Sequence, residues 1–228
     1  MFLKALSITF FFCASFTSIL SPKPISKIHS PSNSMEYAEM VYANLQPNHF
    51  EIPKIVSFSK ALTGFYKLKA KGIIKKDILT LIDFSLSANS KRLWVIDLAT
   101  KTILFQSLVA HGRNTGEEYA NNFSNEAQSY KSSIGFYATG EVYIGKHGVS
   151  LRLDGLEKEI NDNARNRGVV MHAANYVSAS FIKNNKRLGR SQGCPAVPMN
   201  LSKALIGIIK DKSCLFIYHP KLISPLIS

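Results

Sequence analysis

Two hydrophobic rhythms divide this chain. From Ser34 to Leu45, polar and apolar residues alternate at helical spacing, with Met35, Ala38, Tyr42 and Leu45 on one predicted face. Pro53 suits the first turn of a second helix, where its missing N–H costs nothing. Phe58, Ala61, Leu62, Phe65 and Leu68 then follow at steps of three and four, the stripe of a helix that buries one side. Gly72 is a natural stop. Beyond Lys76 the period shortens to two, or to continuous apolar runs. Ile78–Leu86, Arg92–Leu98, Thr102–Ala110, Ile134–Thr139, Gly168–His172 and Cys214–Tyr218 read as strands. Thr100-Lys101 suits a tight connection between two of them, and Asn200 is placed to cap a short helix over Leu201–Lys210. Helices do not alternate with these strands, which argues against a parallel α/β sheet. The pattern predicts a mainly β fold, a sandwich or barrel, with a small helical N-terminal lead-in and a short C-terminal helix. Two polar segments, Gly112–Ser133 and Lys146–Arg167, read as long loops, and loops of such length in a compact domain are usually functional.

The first residues carry a different pattern. Met1–Lys4 is a short basic start, and Ala5–Leu20 is apolar with Phe10, Phe11 and Phe12 at its centre. Ser15, Thr17, Ser18 and Ser21 then precede Pro22 and Pro24. This reads as a secretory signal over residues 1–22, with an uncleaved anchor as the alternative. The apolar run is short, and interrupted by Ser and Thr, for a membrane span. Residues 23–33 form a Pro- and Ser-rich linker, residues 34–75 the helical lead-in and residues 76–228 the main domain. The expected location is therefore the periplasm or cell envelope.

Charge and composition narrow the partners. The chain has 228 residues and a net charge of +13. Its basic residues are spread along the chain rather than clustered, as in a solvated surface that is drawn to an anionic polymer, wall or membrane surface. No zinc-finger spacing, helix-turn-helix signal or aromatic-basic signature is present, so nucleic acid is not an expected partner. Hydrophobic residues make up 46%, which excludes a wholly disordered chain.

Of three cysteines, Cys13 would leave with the signal. The remaining pair, Cys194 and Cys214, allows either a mutual disulfide or at least one working thiol. Cys214 lies in the apolar run Cys214–Tyr218 and reads as a small buried hydrophobe. Cys194 lies in Ser191-Gln192-Gly193-Cys194-Pro195, which is not a core pattern. Glycine before the thiol permits an unusual backbone, and proline after it fixes the exit of the chain. The Gly193 and Cys194 amides are placed to face a developing oxyanion. A thiol with the reference pKa of about 8.5 is mostly protonated at neutral pH, so it needs a base or a neighbouring cation to react. His172, ending the run Gly168–His172, is the candidate base, and Lys186, Arg187 and Arg190 are nearby cations in sequence. The competing roles are a hydrogen-bonded core histidine and an inert thiol. No metal-ligand or cofactor motif is present, and neither a metal nor a cofactor is expected.

The spacing of His172 from Ser191-Gln192-Gly193-Cys194 resembles the signature of the L,D-transpeptidase (YkuD-like) family, in which a His is followed by Ser/Thr-His-Gly-Cys. Arg92-Leu-Trp-Val-Ile-Asp-Leu98, His111-Gly-Arg-Asn-Thr-Gly116, Ser132-Ser-Ile-Gly-Phe136, Gly145-Lys-His-Gly148 and Arg187–Pro195 extend the likeness, over about residues 50–219. The resemblance implies a β-rich domain that transfers acyl groups on peptidoglycan stem peptides through a thioester. It implies Cys194 as nucleophile, His172 as base, and Ser191, Gln192 and Gly193 lining the site. It also implies that Ser132–Phe136 supports the core under the site. Two positions depart from the main family: Gln192 stands in place of His, and Ala196 in place of Asn or Arg. Replacement substrate contacts then fall to His111, Arg113, His147, Arg152 and Arg190, for which loop hydrogen bonding and surface charge are the competing roles. A hydrolase using the same residues and a silent wall-binding module are the alternative functions.

Overall fold

The computed structural model describes residues 34–227. The expected signal over residues 1–22 and the linker over 23–33 lie outside them. The described residues build one unit around a mixed eight-stranded sheet.

Helix α1 spans Ser34–Ala43 and α2 spans Ile55–Ala70. Phe58, Ala61, Leu62, Phe65 and Leu68 of α2 are all buried, as the periodicity predicts. Pro53 falls two residues before α2, not within its first turn, and its carbonyl instead accepts the Tyr42 hydroxyl at 2.8 Å. Gly64 is where α2 comes closest to the sheet: a Cβ there would sit 2.0 Å from Phe136 Cζ.

The strands are β1 (Ile78–Asp83), β2 (Leu93–Asp97), β3 (Thr102–Ser107), β4 (Gly135–Gly145), β5 (Gly148–Gly155), β6 (Val170–Ala173), β7 (Ala196–Val197) and β8 (Cys214–Tyr218). In the sheet they run β3-β2-β1-β8-β4-β5-β6-β7. Only β1 with β8 and β6 with β7 are parallel pairs. Beyond β3, Ala110 bridges Ala196 of β7, and Gly112 bridges Ser191. The two ends of the sheet are thereby drawn together, giving the barrel-like form expected from the many short strands. The core includes Phe58 and Phe65 of α2, Leu79 and Leu81 of β1, Phe136 of β4 and Phe216 of β8. Phe136 and Phe216 stack at 4.1 Å between ring centres.

The polar segment Lys146–Arg167 is not a loop throughout. Its first part is β5, joined to β4 by the turn Lys146-His147 and paired from Gly145↔Gly148 to Tyr137↔Gly155. Val149, Leu151 and Leu153 alternate there, a period-two signal carried between charged residues. The short helix α3 (Ala179–Asn185) begins at Ser178, whose hydroxyl accepts from the Phe181 amide at 3.1 Å. Helix α4 spans Met199–Ile209, so Asn200 lies inside its first turn instead of capping it. Among the described residues no helix is long and apolar enough to cross a membrane.

Candidate active site

The parallel pairing of β6 with β7 sets His172 beside Ala196. Two residues before each of these, the Val170 amide donates to Cys194 Sγ at 3.5 Å. The thiol and the imidazole line one open cavity of about 600 Å³. Cys194 is partly exposed, and neither it nor the buried Cys214 is in a disulfide.

His172 is 3% exposed, and its Nδ1 lies 2.8 Å from the Ala173 carbonyl oxygen. A carbonyl only accepts, so Nδ1 carries the proton and Nε2 keeps its lone pair. Burial lowers the His172 pKa and His147 lowers it further, against the Ala173 carbonyl. The His147 ring stacks on His172 at 4.3 Å. Burial raises the Cys194 pKa, opposed by the Val170 amide and the Arg167 charge. With the imidazole shifted down and the thiol shifted up, both shifts favour the neutral forms.

The turn carrying Cys194 is fixed from both sides. Ser191 Oγ donates to the Cys194 carbonyl at 2.6 Å and accepts from the Gly193 amide at 3.1 Å. Ser132 Oγ accepts from the Gly112 amide at 3.0 Å and donates to the Gly193 carbonyl at 3.1 Å. This ties Ser132–Phe136 to the site directly. Gly193 has φ +123°, and a Cβ on it would lie 2.9 Å from the Lys131 carbonyl oxygen. In the resting structure its amide donates to Ser191 Oγ. The Cys194 amide makes no hydrogen bond among the described residues and remains available as an oxyanion donor.

The proposed substrate contacts separate. His147 and Arg190 line the cavity with Gln192 and Ser191. Arg190 is paired with Glu117 at 2.6 Å. Arg187 is also paired with Glu117, at 3.0 Å, so the two arginines just upstream in sequence share one carboxylate. Arg113 lies over the Tyr130 ring at 3.9 Å, and Arg152 lies over Tyr143 at 4.6 Å and pairs with Glu141 at 3.0 Å. Both sit behind aromatic residues of the cavity wall. His111 is fully buried and does not reach the cavity. Arg92 Nη2 donates to its Nδ1 at 2.8 Å, which leaves Nε2–H to donate to the Gly116 carbonyl at 3.1 Å. Burial first, then Arg92, lowers the His111 pKa to about 4. Burial likewise lowers Arg92 to about 9, against Asp83.

Sequence reasoning missed Arg167, Tyr143 and Tyr176, which also line the cavity. Arg167 ends a polar segment and belongs to no periodic pattern, so nothing local marks it. Among the described residues no cluster of His, Cys, Asp and Glu is arranged to hold a metal ion.

The fold and this site define a β-rich protein with a thiol–imidazole pair in an open cavity. The family model of the L,D-transpeptidase catalytic domain matches residues 52–218, and the chain belongs to that family. Among solved structures it is similar to an L,D-transpeptidase from Mycobacterium smegmatis, with 10% identity and a TM-score of 0.40, covering 63% of this chain and 59% of that one. It is also similar to L,D-transpeptidase 3 from Mycobacterium tuberculosis, with 9% identity and a TM-score of 0.39, covering 63% and 61%. For an L,D-transpeptidase from Xylanimonas cellulosilytica the identity is 10% and the TM-score 0.37, with 82% and 93% covered. The chain thus spans about three fifths of the length of the mycobacterial proteins. A comparison with curated proteins finds no match.

Proposed function

We propose that this protein is a peptidoglycan L,D-transpeptidase with Cys194 as nucleophile and His172 as general base. The observation that carries the reading is the His172 imidazole, its Nδ1 2.8 Å from the Ala173 carbonyl oxygen, in one cavity with the Cys194 thiol. A base presented this way is ready to take a proton through Nε2.

In the proposed first half-reaction, Cys194 Sγ attacks the carbonyl carbon of the L-centred third residue of a stem peptide. Nε2 of His172 takes the thiol proton as the C–S bond forms. The oxyanion faces the Cys194 amide. The peptide bond to the terminal D-alanine then breaks, and His172 returns the proton to the departing amine. A thioester remains on Cys194. An amine of a neighbouring stem peptide attacks it, His172 again passing the proton, and the new peptide bond releases the thiol. Water in place of the amine gives a shortened peptide instead of a crosslink. Export under the signal-like residues 1–22 brings the protein to this substrate, and its net charge of +13 suits a polymer rich in carboxylates.

Purified tetrapeptide muropeptides, incubated with wild type and with Cys194→Ala and analysed by mass spectrometry, test the proposal. Loss of D-alanine, a thioester adduct on wild type and a Cys194-dependent dimer are the expected results. Shortened peptide without dimer assigns a hydrolase with the same nucleophile. No product and no adduct from any stem peptide overturns the acyl-transfer reading in favour of a wall-binding module.

A further inference from the structure

The groups that share the cavity with the Cys194 thiol are unbalanced in charge. Lys146, His147, Arg167 and Arg190 line it, with the phenols of Tyr130, Tyr143 and Tyr176, and no carboxylate does. Arg190 is paired with Glu117, a carboxylate it shares with Arg187. Arg167 is not so paired. Its Nη1 donates to the Ser124 carbonyl at 2.7 Å and to Ser133 Oγ at 3.3 Å. Its Nη2 donates to the Lys131 carbonyl at 2.7 Å and to Ser129 Oγ at 3.3 Å. All four partners are neutral oxygens. They fix the fork in place without offsetting its charge. Nη2 also lies 3.6 Å from the point where a Cβ on Gly193 would stand, next to the nucleophile. A half-buried guanidinium lacking a counter-anion is costly to keep unless an anion forms beside it.

We infer that Arg167 supplies the positive charge that steadies the Cys194 thiolate and the anionic tetrahedral intermediate. The part concerning the intermediate rests on the acyl-transfer reading, and the part concerning the thiolate does not. Burial works against the thiolate at this site, and Arg167 works in its favour. Lys146 and His147 stand at the tip of the β4–β5 hairpin. His172 is shifted toward its neutral form, with Nδ1 2.8 Å from a carbonyl oxygen, and Tyr176 is a phenol held protonated, mainly by burial. Arg167 is therefore a fixed guanidinium with no carboxylate partner among the described residues, held beside the Gly193-Cys194 turn.

The test is the pH dependence of Cys194 alkylation by iodoacetamide, followed by mass spectrometry in wild type, Arg167→Gln and Arg167→Lys. Cys214 is fully buried and serves as the unreactive internal control. Circular dichroism and thermal melting establish that each variant is folded. Arg167→Gln is expected to alkylate about tenfold more slowly at neutral pH, with its midpoint moved to higher pH. Arg167→Lys keeps the charge and breaks the four-point fork, and it is expected to retain the wild-type midpoint. An unchanged midpoint in Arg167→Gln, or an equal rise in both variants, overturns the inference and leaves Arg167 as a loop clamp. If Arg167→Gln does not fold, Arg167→Lys decides alone: a wild-type midpoint supports the charge role and a raised one refutes it. An Arg167-dependent alkylation profile in a protein that yields no thioester from muropeptides upholds the thiolate role while removing the acyl-transfer reading.

Discussion

Replacing Gly193 by alanine perturbs the site at the residue that aims the nucleophile. The backbone there has φ +123°, a conformation essentially reserved for glycine, and forcing a side chain into such a region costs about 1–3 kcal/mol. The new Cβ would also stand 2.9 Å from the Lys131 carbonyl oxygen, and that segment is held in turn by Arg167. The neighbour cannot withdraw cheaply, so the upper part of the range applies. For a chain of this size about 2–3 kcal/mol lowers Tm by about 5–10 °C. The alternative relaxation is for residues 191–194 to shift, which breaks the Ser191 and Ser132 contacts and moves Sγ. A displacement of about 1 Å costs about 100-fold in rate. Differential scanning calorimetry and thioester formation, followed by intact-protein mass spectrometry, report the two outcomes. Gly72→Ala is the matched control: Gly72 has φ +69° with open space around a Cβ. It should cost about 1 kcal/mol and leave thioester formation unchanged. A Gly193→Ala protein that melts with wild type and forms thioester at the wild-type rate would refute the reasoning.

Three further outcomes follow from the same structure. The rate of thioester formation should rise with pH through a midpoint below the ordinary imidazole value, because burial and His147 lower the His172 pKa. A midpoint above that value in a steady-state pH profile would rule out the neutral-pair starting state. His111, shifted from 6.5 to about 4, binds its proton more readily unfolded than folded, so stability is present above the unfolded value and is lost as pH falls toward the folded one. The loss attributable to it is about 3 kcal/mol by pH 4. His111→Gln, which keeps an acceptor and a donor, should flatten that part of the Tm-against-pH curve. Gly64→Ala places a methyl group 2.0 Å from Phe136 Cζ and should destabilise by about 1–3 kcal/mol. Its activity per folded molecule should remain at the wild-type level, since the clash lies between α2 and β4, and denaturant titration with active-site counting separates the two effects.

Elements that bury one continuous face were legible in the sequence. The stripe Phe58–Leu68 marks α2 because burial needs an unbroken apolar side at the helical period, and Cys214–Tyr218 coincides with β8 because it is buried along its whole length. Strand β5 was read as loop because Arg152 and Asp154, on its partly exposed face, alternate with Leu151 and Leu153. Its pairing with β4 is a contact that only the folded chain contains.

The site divides along the same line. Cys194, Gly193 and Ser191 are adjacent in the chain, and His172 ends an apolar run, so their residue types and order were sufficient to nominate them. That the Gly193 N–H is bonded to Ser191 Oγ while the Cys194 N–H is not so engaged was visible only in the fold. Which cations are paired with a carboxylate was decided by Glu117, which reaches Arg187 and Arg190 from about seventy residues away, while the four partners of Arg167 are neutral. Local pattern records what a residue is and which way an element buries it. The charge balance of the site depends on partners distant in sequence, and those are set only in the folded chain.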